Sequence, residues 1–248
     1  MERRKFTDSA LKRGIDICVA SVGLTCVAPL IVLALMLTWG CDRHTPIYRA
    51  QRVGKGGRPF TMYEVRTMVV GSDRTGVDST AKDDSRITPI GHLVRLSKAD
   101  ELPQLVNVIR GDMSLVGPRP NVEREIAFYT PAEHRLLDVR PGVTDLSSIV
   151  FSDLAEILKS REDANLAYRQ LVRPWKSRFG LFYIDHASLA LDLQIIAYTA
   201  LVLVSPSLAR RAVQRVLRGH GADARLVEIA GRSRPLAPYP PPGGSEGP

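Results

Sequence analysis

An uncharged stretch from Ile17 to Trp39 constrains this chain more than any other feature. About 20 consecutive apolar residues suffice for a helix to cross the hydrocarbon core of a bilayer, and this stretch reaches that length. A cleaved signal peptide is the competing interpretation, but its apolar core is normally ~7–15 residues long, and no small-residue cleavage site follows Trp39. The stretch therefore predicts a membrane segment within an N-terminal unit at residues 1–40.

The sequence leaves open whether this segment crosses the bilayer. Pro29 lies near its middle, where a proline removes a backbone hydrogen bond and kinks a helix. Residues 1–13 and 43–58 are both rich in arginine and lysine. Because positive charge normally marks the cytoplasmic side, basic residues at both ends give no clear orientation. A kinked spanning helix and a helix with both ends on the cytoplasmic side are both compatible with this pattern.

A second informative stretch holds two adjacent carboxylates, Asp100 and Glu101. Apolar residues follow them at i, i+3, i+4 and i+7, which predicts one buried helical face over residues 102–109. Gly111 stands where a helix end favours a residue that tolerates positive φ. Ser97, three residues before Asp100, fits a capping-box pattern. The carboxylates are therefore expected at the start of a short helix.

Two interpretations of the carboxylate pair are open. In the first, the acids only cap a helix and interact favourably with its dipole. In the second, they belong to a site for phosphate chemistry, because Arg95 precedes them while Asp112 and Arg119 follow. The net charge of +8 implies an anionic partner, which is nucleic acid, an anionic membrane surface or a phosphorylated substrate.

The same stretch carries a family resemblance. Asp-Glu-Leu-Pro-Gln-Leu and Asn-Val-Ile-Arg-Gly-Asp-Met-Ser-Leu-Val-Gly-Pro-Arg-Pro resemble the signature of the bacterial sugar transferases, the monotopic polyprenyl-phosphate phosphoglycosyl transferases. The likeness extends from about Leu11 to about Thr199, and it includes an Arg-Thr-Met region at 66–68 and an Arg-Pro-Gly-Val-Thr run at 140–144. The chain is similar to the compact members of this family.

The resemblance implies the architecture. The expected fold is α/β (α+β): a helix-rich small catalytic domain with short strands at residues 41–210, an N-terminal re-entrant membrane helix broken at Pro29, and interfacial amphipathic helices. The implied location is the bacterial inner membrane, with the catalytic domain on its cytoplasmic face. Residues 211–248 are basic and then rich in proline and glycine, so a largely disordered tail is predicted.

The resemblance also implies the reaction. A nucleotide sugar, usually a UDP-sugar, gives its sugar phosphate to a polyprenyl phosphate lipid such as undecaprenyl phosphate and releases UMP, as the first membrane step of surface glycan synthesis. Carried over by position, Asp100 is the nucleophile that forms a covalent aspartyl-phosphate intermediate, and Glu101 with Asp100 binds Mg²⁺. The residues predicted to bind substrate are Arg66, Arg95, Asp112, Arg119 and Arg140.

Glu64 departs from the family pattern, because it occupies a position where the family usually has lysine. A charge reversal beside phosphates is not conservative. Either another basic residue such as Lys55 or Arg58 fills the role of that lysine, or the substrate is bound differently.

Two rival functions are open at this point. One is a membrane-tethered basic scaffold or binding protein in which the acids only cap a helix. The other is a catalytically degenerate family member, which Glu64 supports best. Nucleic acid is not the expected partner, because aromatic residues make up only 6% of the chain and no nucleic-acid module is recognised. The sequence does not identify the sugar, the glycan pathway or the oligomeric state, and a homo-oligomer is among the options.

Three expectations cover other segments. Residues 46–68 read as two strands around a glycine-rich turn. Residues 71–85 read as a polar loop whose acids, Asp78 among them, are solvated rather than calcium-binding. Residues 189–208 read as either a second spanning helix or an interfacial helix flanked by arginines.

Overall fold

The uncharged N-terminal stretch lies in one continuous helix, α1 (Ala10–Asp42). The structure is a computed structural model that describes residues 6–76, 80–159 and 161–244. Pro29 lies inside α1, and the helix ends at Arg43, which adopts the left-handed conformation. Helix α1 is long and apolar enough to cross a membrane, as the sequence indicates. A re-entrant course through the bilayer stays a prediction.

One stripe of α1 packs against the rest of the protein along nearly the whole helix. Its buried residues are Lys12, Asp16, Ala20, Ala34 and Thr38. They are four positions apart within each group, and the two groups are separated by 14 positions, close to four full turns, so all five lie on a single helical face. The other faces of α1 expose many large apolar side chains, including Val22, Leu33 and Met36. The globular domain therefore lies alongside α1 rather than at one end of it.

Two small sheets follow. Strands β1 (Ile47–Val53) and β2 (Pro59–Val65) form an antiparallel hairpin in which Tyr48 lies opposite Glu64. Gly56 and Gly57 both have positive φ in the connecting turn, where a side chain would be strained. The hairpin confirms the prediction for residues 46–68. Strands β3 (Ser114–Val116) and β4 (Gly142–Thr144) form a short parallel pair.

The rest of the described chain is mostly helical, which confirms a helix-rich domain with short strands. The helices after α1 are α2 (Pro89–Leu96), α3 (Gln104–Arg110), α4 (Glu123–Ile126), α5 (Leu146–Val150), α6 (Leu154–Ile157), α7 (Ala164–Ala167), α8 (Arg173–His186), α9 (Leu189–Val204), α10 (Pro206–Gly219) and α11 (Ala224–Gly231). The main core contains fully buried side chains from α5, α8 and α9, such as Ile149, Phe179 and Ile195.

A buried polar network fixes the start of α1 to this core. The Lys12 ammonium lies 2.5 Å from a carboxylate oxygen of Asp192, and the Tyr183 hydroxyl donates to the other oxygen of Asp192 at 2.7 Å. One turn further along α1, Asp16 accepts hydrogen bonds from the Ser114 hydroxyl and from a backbone N–H of β3. Buried charges are stable only when paired in this way, so the network sets where α1 begins relative to α8, α9 and β3.

The polar loop is described only in part. Asp84 forms an ion pair with Arg86 in which their closest atoms are 2.7 Å apart. Asp78 lies outside the described residues.

The prediction of a largely disordered tail from residue 211 is wrong for its first part. Helix α10 continues to Gly219 and buries Ala212, Val213, Val216 and Leu217, and α11 follows. Beyond α11, the ring of Tyr239 stacks on Trp175 with centroids 4.5 Å apart. The prediction failed because it rested on proline and glycine content, and that content does not reflect the helical spacing of these apolar residues. Residues 245–248 lie outside the described chain.

Candidate active site

Asp100 and Glu101 lie at a corner between two helices. Helix α2 ends at Ser97, whose hydroxyl donates to the Val94 carbonyl. The chain then reverses at Lys98, which has a positive φ of 57°, and residues 99–101 form a single 3₁₀ turn before α3 begins at Gln104. The capping-box prediction is therefore wrong, because Ser97 ends one helix instead of starting the next.

The geometry of this corner also excludes a purely capping role for Asp100 and Glu101. Within the described part of the chain, no backbone N–H donates to either carboxylate, and the first turn of α3 contains no acid. Gly111 does end α3 in the left-handed conformation, as the sequence predicts. The pair is thus presented at a bend and is not used to terminate a helix.

Asp100 is a buried carboxyl group with spare hydrogen-bonding capacity. Its Oδ1 atom is inaccessible to solvent and has no hydrogen-bond partner among the described residues. Burial, together with the negative charges of Glu101 and Glu64, raises the pKa of Asp100 to about 7, while the charges of Arg95 and Lys98 oppose this rise. A buried acceptor without a partner is costly, so this atom is the strongest indication of a ligand in the described chain.

Glu101 faces an arginine from a distant part of the sequence. Its carboxylate lies 3.5 Å from Arg119, whose side chain is only 17% exposed. Arg119 also donates to the Val143 carbonyl. The guanidinium is therefore held in place from two sides beside the carboxylate pair.

A buried amide connects Arg119 to Glu64. Gln104 is fully buried, its Nε2 donates to Glu64 Oε1 at 3.0 Å, and its Oε1 accepts from Arg119 at 3.0 Å. Burial raises the pKa of Glu64, and the charge of Glu101 adds to this effect. Glu64, the residue that departs from the family, is thus part of the site and is tied to it through Gln104.

Arg95 approaches the site from α2. Its Nε donates to the Thr67 hydroxyl at 2.8 Å, and its charge opposes the rise in the pKa of both Asp100 and Glu64. Its two terminal nitrogens have no hydrogen-bond partner among the described residues. The positive charges of Arg95 and Arg119 therefore both act on the carboxylate pair.

Arg66 has a different environment. Its terminal nitrogens bind both carboxylate oxygens of Asp42 at 2.7 and 2.8 Å, and its Nε donates to the Thr45 carbonyl. The side chain is buried and links the end of β2 to the end of α1. Because the guanidinium is committed to Asp42, contact between Arg66 and a phosphate stays a prediction.

Asp112 and Arg140 lie beyond the opposite end of α3. Asp112 accepts a hydrogen bond from Asn107, and Arg140 donates to the Gly111 carbonyl. Helix α3 rises ~1.5 Å per residue, so its length of seven residues separates this pair from the carboxylates by roughly 10 Å. Their contacts with substrate also stay predictions.

Sequence reasoning missed Gln104 and the part played by its neighbour Asn107. The predicted apolar face of α3 is only partly buried, whereas Gln104, Asn107 and Val108 are fully buried. The Asn107 amide binds the carbonyl of Thr61 and the N–H of Tyr63, so it fixes α3 to β2. A usable signal existed: these polar residues are three apart and flank apolar positions, which places them on one helical face.

The carboxylate pair fits Mg²⁺ only together with a ligand that carries phosphate. The described chain contains no cluster of three or more acidic, histidine or cysteine side chains able to hold a metal alone. Mg²⁺ commonly uses one or two carboxylates and takes its remaining ligands from substrate phosphates and water. The free Oδ1 of Asp100 and the partly exposed Glu101 match that donor set.

Comparisons with known proteins give a consistent result. The sequence model of the family described as "Bacterial sugar transferase" matches residues 7–206. The chain is 34% identical over 203 residues to the exopolysaccharide production protein ExoY of Sinorhizobium fredii, covering 76% of this chain and 83% of ExoY. It is 34% identical over 172 residues to the UDP-glucose:undecaprenyl-phosphate glucose-1-phosphate transferase of Caulobacter vibrioides, covering 66% and 64% of the two chains.

A third relative is longer. The UDP-N-acetylgalactosamine-undecaprenyl-phosphate N-acetylgalactosaminephosphotransferase of Aeromonas hydrophila is 33% identical over 196 residues, covering 76% of this chain and 42% of the relative. The chain thus spans less than two thirds of the length of the Caulobacter and Aeromonas proteins.

The environment of Asp100 predicts a pH-dependent gain in stability for Asp100→Asn. In the folded protein the pKa of about 7 lies above the ordinary value of 3.8, so the fold favours the protonated form, and stability is lost as the pH rises from about 4 to about 7. The amide cannot ionise. In chelator-treated protein, the melting temperature of Asp100→Asn relative to wild type should therefore increase from about pH 4 to about pH 7 and level off above that.

Asp112→Asn is the matched control, since that carboxylate accepts a hydrogen bond at the other end of α3. A difference in melting temperature between Asp100→Asn and wild type that does not change with pH would show that Asp100 is not a strained buried acid.

Proposed function

The chain belongs to the bacterial sugar transferase family, and we propose on that premise that it is an enzyme that transfers a sugar phosphate from a UDP-sugar to undecaprenyl phosphate. Relatives from two organisms are named for this type of reaction, with different sugars. UMP is the second product. The observation that carries the proposal is the buried Asp100 carboxyl group, which has an unused oxygen and interacts electrostatically with Arg95 and Arg119.

In the first proposed step, an Asp100 oxygen attacks the phosphorus atom that bears the sugar. The bond between that phosphorus and the oxygen bridging to UMP breaks, and UMP leaves with the electron pair. The product is an acyl phosphate that joins the sugar to Asp100. In the second step, a phosphate oxygen of the lipid attacks the same phosphorus, the bond to Asp100 breaks, and the free carboxylate returns.

The neighbours of Asp100 suit this chemistry. Phosphoryl transfer depends mainly on positioning and on neutralising negative charge. Arg119 is already held by Glu101, Gln104 and a backbone carbonyl, so it needs little reorganisation to contact a phosphate. The terminal nitrogens of Arg95 have no hydrogen-bond partner among the described residues. We propose these two arginines as the phosphate contacts.

Glu101 and Asp100 are the residues proposed to hold Mg²⁺. When bound, Mg²⁺ neutralises phosphate charge at the reacting centre. Because the pKa of Asp100 is raised to about 7 by burial and by two neighbouring acids, added positive charge at the site favours the ionised, nucleophilic form.

The packing of α1 supports a membrane arrangement in which its two ends lie on one side. Arg13 near the start donates to the carbonyls of Val108 and Ile109, and Asp42 at the end binds Arg66. Both ends thus contact the same domain, while the outer faces of α1 are apolar and exposed. We propose that α1 enters one leaflet as a re-entrant helix and that the domain lies on the cytoplasmic face of the inner membrane.

The degenerate and scaffold alternatives lose their main support. Glu64 has a partner at the position where the family usually has lysine, because Gln104 donates a hydrogen bond to it. The same Gln104 side chain accepts a hydrogen bond from Arg119. Likewise, the two acids do not cap a helix within the described chain. Both observations fit an active enzyme in which Glu64, linked through Gln104, is an altered part of the surroundings of Arg119.

The first test is UMP release by detergent-purified protein with Mg²⁺, undecaprenyl phosphate and UDP-glucose, UDP-galactose or UDP-N-acetylgalactosamine. We expect release with at least one donor, dependent on the lipid, and its loss in Asp100→Asn because the amide is not a nucleophile. Glu123→Gln, which neutralises an exposed carboxylate on α4, serves as the control. If Asp100→Asn and wild type release UMP at the same rate, Asp100 is not the nucleophile.

A second test concerns Glu64. In Glu64→Gln the side-chain oxygen still accepts from Gln104, so activity should stay near that of wild type. In Glu64→Lys a hydrogen-bond donor faces the Nε2 group of Gln104, which is also a donor. The amide then has to rotate so that its oxygen faces the lysine, and Arg119 loses its acceptor. We expect kcat to fall by about tenfold or more, the effect of one lost positioning contact of ~1–3 kcal/mol.

Glu123→Lys makes the same charge reversal at an exposed residue on α4 and controls for net charge. Wild-type or higher kcat in Glu64→Lys would contradict the proposed link from Glu64 through Gln104 to Arg119.

A further inference from the structure

Helix α10 exposes a stripe of arginines. Leu208, Arg211, Arg215 and Arg218 are exposed and recur at i, i+3, i+7 and i+10, which is one helical face. The opposite face is buried in the core. The helix lies almost entirely beyond residue 206, where the match to the family ends, so this stripe belongs to the part of the chain that is not covered by the family.

These arginines have no acidic partners among the described residues. The sequence contains no Asp or Glu between Asp192 and Asp223. Among the residues that the structure describes, no carboxylate lies within 4.0 Å of Arg211, Arg215 or Arg218. Other arginines of the protein are paired: Arg169 with Glu125 and Arg232 with Asp153 are examples. The stripe is thus a region of uncompensated positive charge.

An exposed apolar patch adjoins the stripe at the junction of α9 and α10. Leu203 is 64% exposed, Val204 is 84% exposed and Leu208 is 51% exposed. Large apolar side chains exposed beside basic residues are typical of segments that lie in the interface of a membrane. Nucleic acid or an acidic protein would satisfy the arginines but would leave these three side chains without an apolar environment.

We propose that α10 binds the headgroups of anionic phospholipids. In this arrangement the three arginines contact lipid phosphates, and Leu203, Val204 and Leu208 enter the interface. Basic residues near an anionic bilayer surface bind it electrostatically, and the attraction falls off within a Debye length. Helix α10 is a different element from α1, so this binding adds a second contact between the protein and the bilayer to the one proposed for α1. The proposal does not depend on the transfer reaction.

Hydrogen exchange of the full-length protein in lipid nanodiscs tests this directly. The two media are phosphatidylcholine nanodiscs and nanodiscs in which part of this lipid is replaced by phosphatidylglycerol. We expect amides of residues 205–219 to exchange roughly tenfold more slowly with phosphatidylglycerol, and high salt should remove the difference. The Arg211→Gln, Arg215→Gln, Arg218→Gln triple variant should lose the difference, whereas the corresponding lysine triple variant should keep it.

A second triple variant, Lys159→Gln, Arg161→Gln and Arg234→Gln, removes the same net charge elsewhere and should keep the difference. Unchanged exchange in the buried helix α8 shows that each variant is folded. Equal exchange in the two nanodiscs, or a difference that persists in the glutamine triple variant, would overturn the proposal. Slowing by a soluble polyanion such as heparin in detergent, with none from phosphatidylglycerol, would overturn it in favour of a soluble partner. Because exchange does not require turnover, an inactive protein leaves this test intact.

Discussion

Two fully buried amide side chains on α3 hold the site together. Asn107 binds backbone groups of Thr61 and Tyr63, which fixes α3 to the hairpin, and Gln104 joins Glu64 to Arg119. A buried amide left without partners costs ~1–3 kcal/mol, so α3 has one favourable position relative to the hairpin. The corner that carries Asp100 and Glu101 directly precedes α3, and its position follows from these contacts.

Helix α1 is fixed to the same elements. Arg13 binds the last carbonyls of α3, and Asp42, more than 40 Å of helix further on by the ~1.5 Å rise per residue, binds Arg66 at the end of β2. The site is therefore framed by α1 on one side and by the hairpin on the other. In the proposed reaction a lipid phosphate and a nucleotide sugar meet at this site, and α1 and α9 both expose large apolar side chains that could face the bilayer.

Sequence reasoning succeeded where the determining interactions are local. The apolar length of α1, the glycine turn of the hairpin and the left-handed Gly111 all follow from neighbouring residues. It failed where the structure depends on contacts between residues that are far apart in the sequence. Ser97 ends α2 because the chain reverses at Lys98, and the contact from Glu64 to Gln104 joins residues 40 positions apart. No spacing pattern in the sequence predicts such a pair, although Glu64 does depart from the family pattern.

The central claim is that Asp100 carries the sugar phosphate between donor and acceptor. The most direct measurement is mass spectrometry of the protein after incubation with Mg²⁺ and an accepted UDP-sugar in the absence of undecaprenyl phosphate, followed by digestion. If Asp100 is the nucleophile, we expect one sugar phosphate on the peptide that contains Asp100, an equal amount of UMP, and loss of the adduct on treatment with hydroxylamine. UMP that appears only when the lipid is added, with no adduct on Asp100 at any time, would contradict the account and indicate direct transfer.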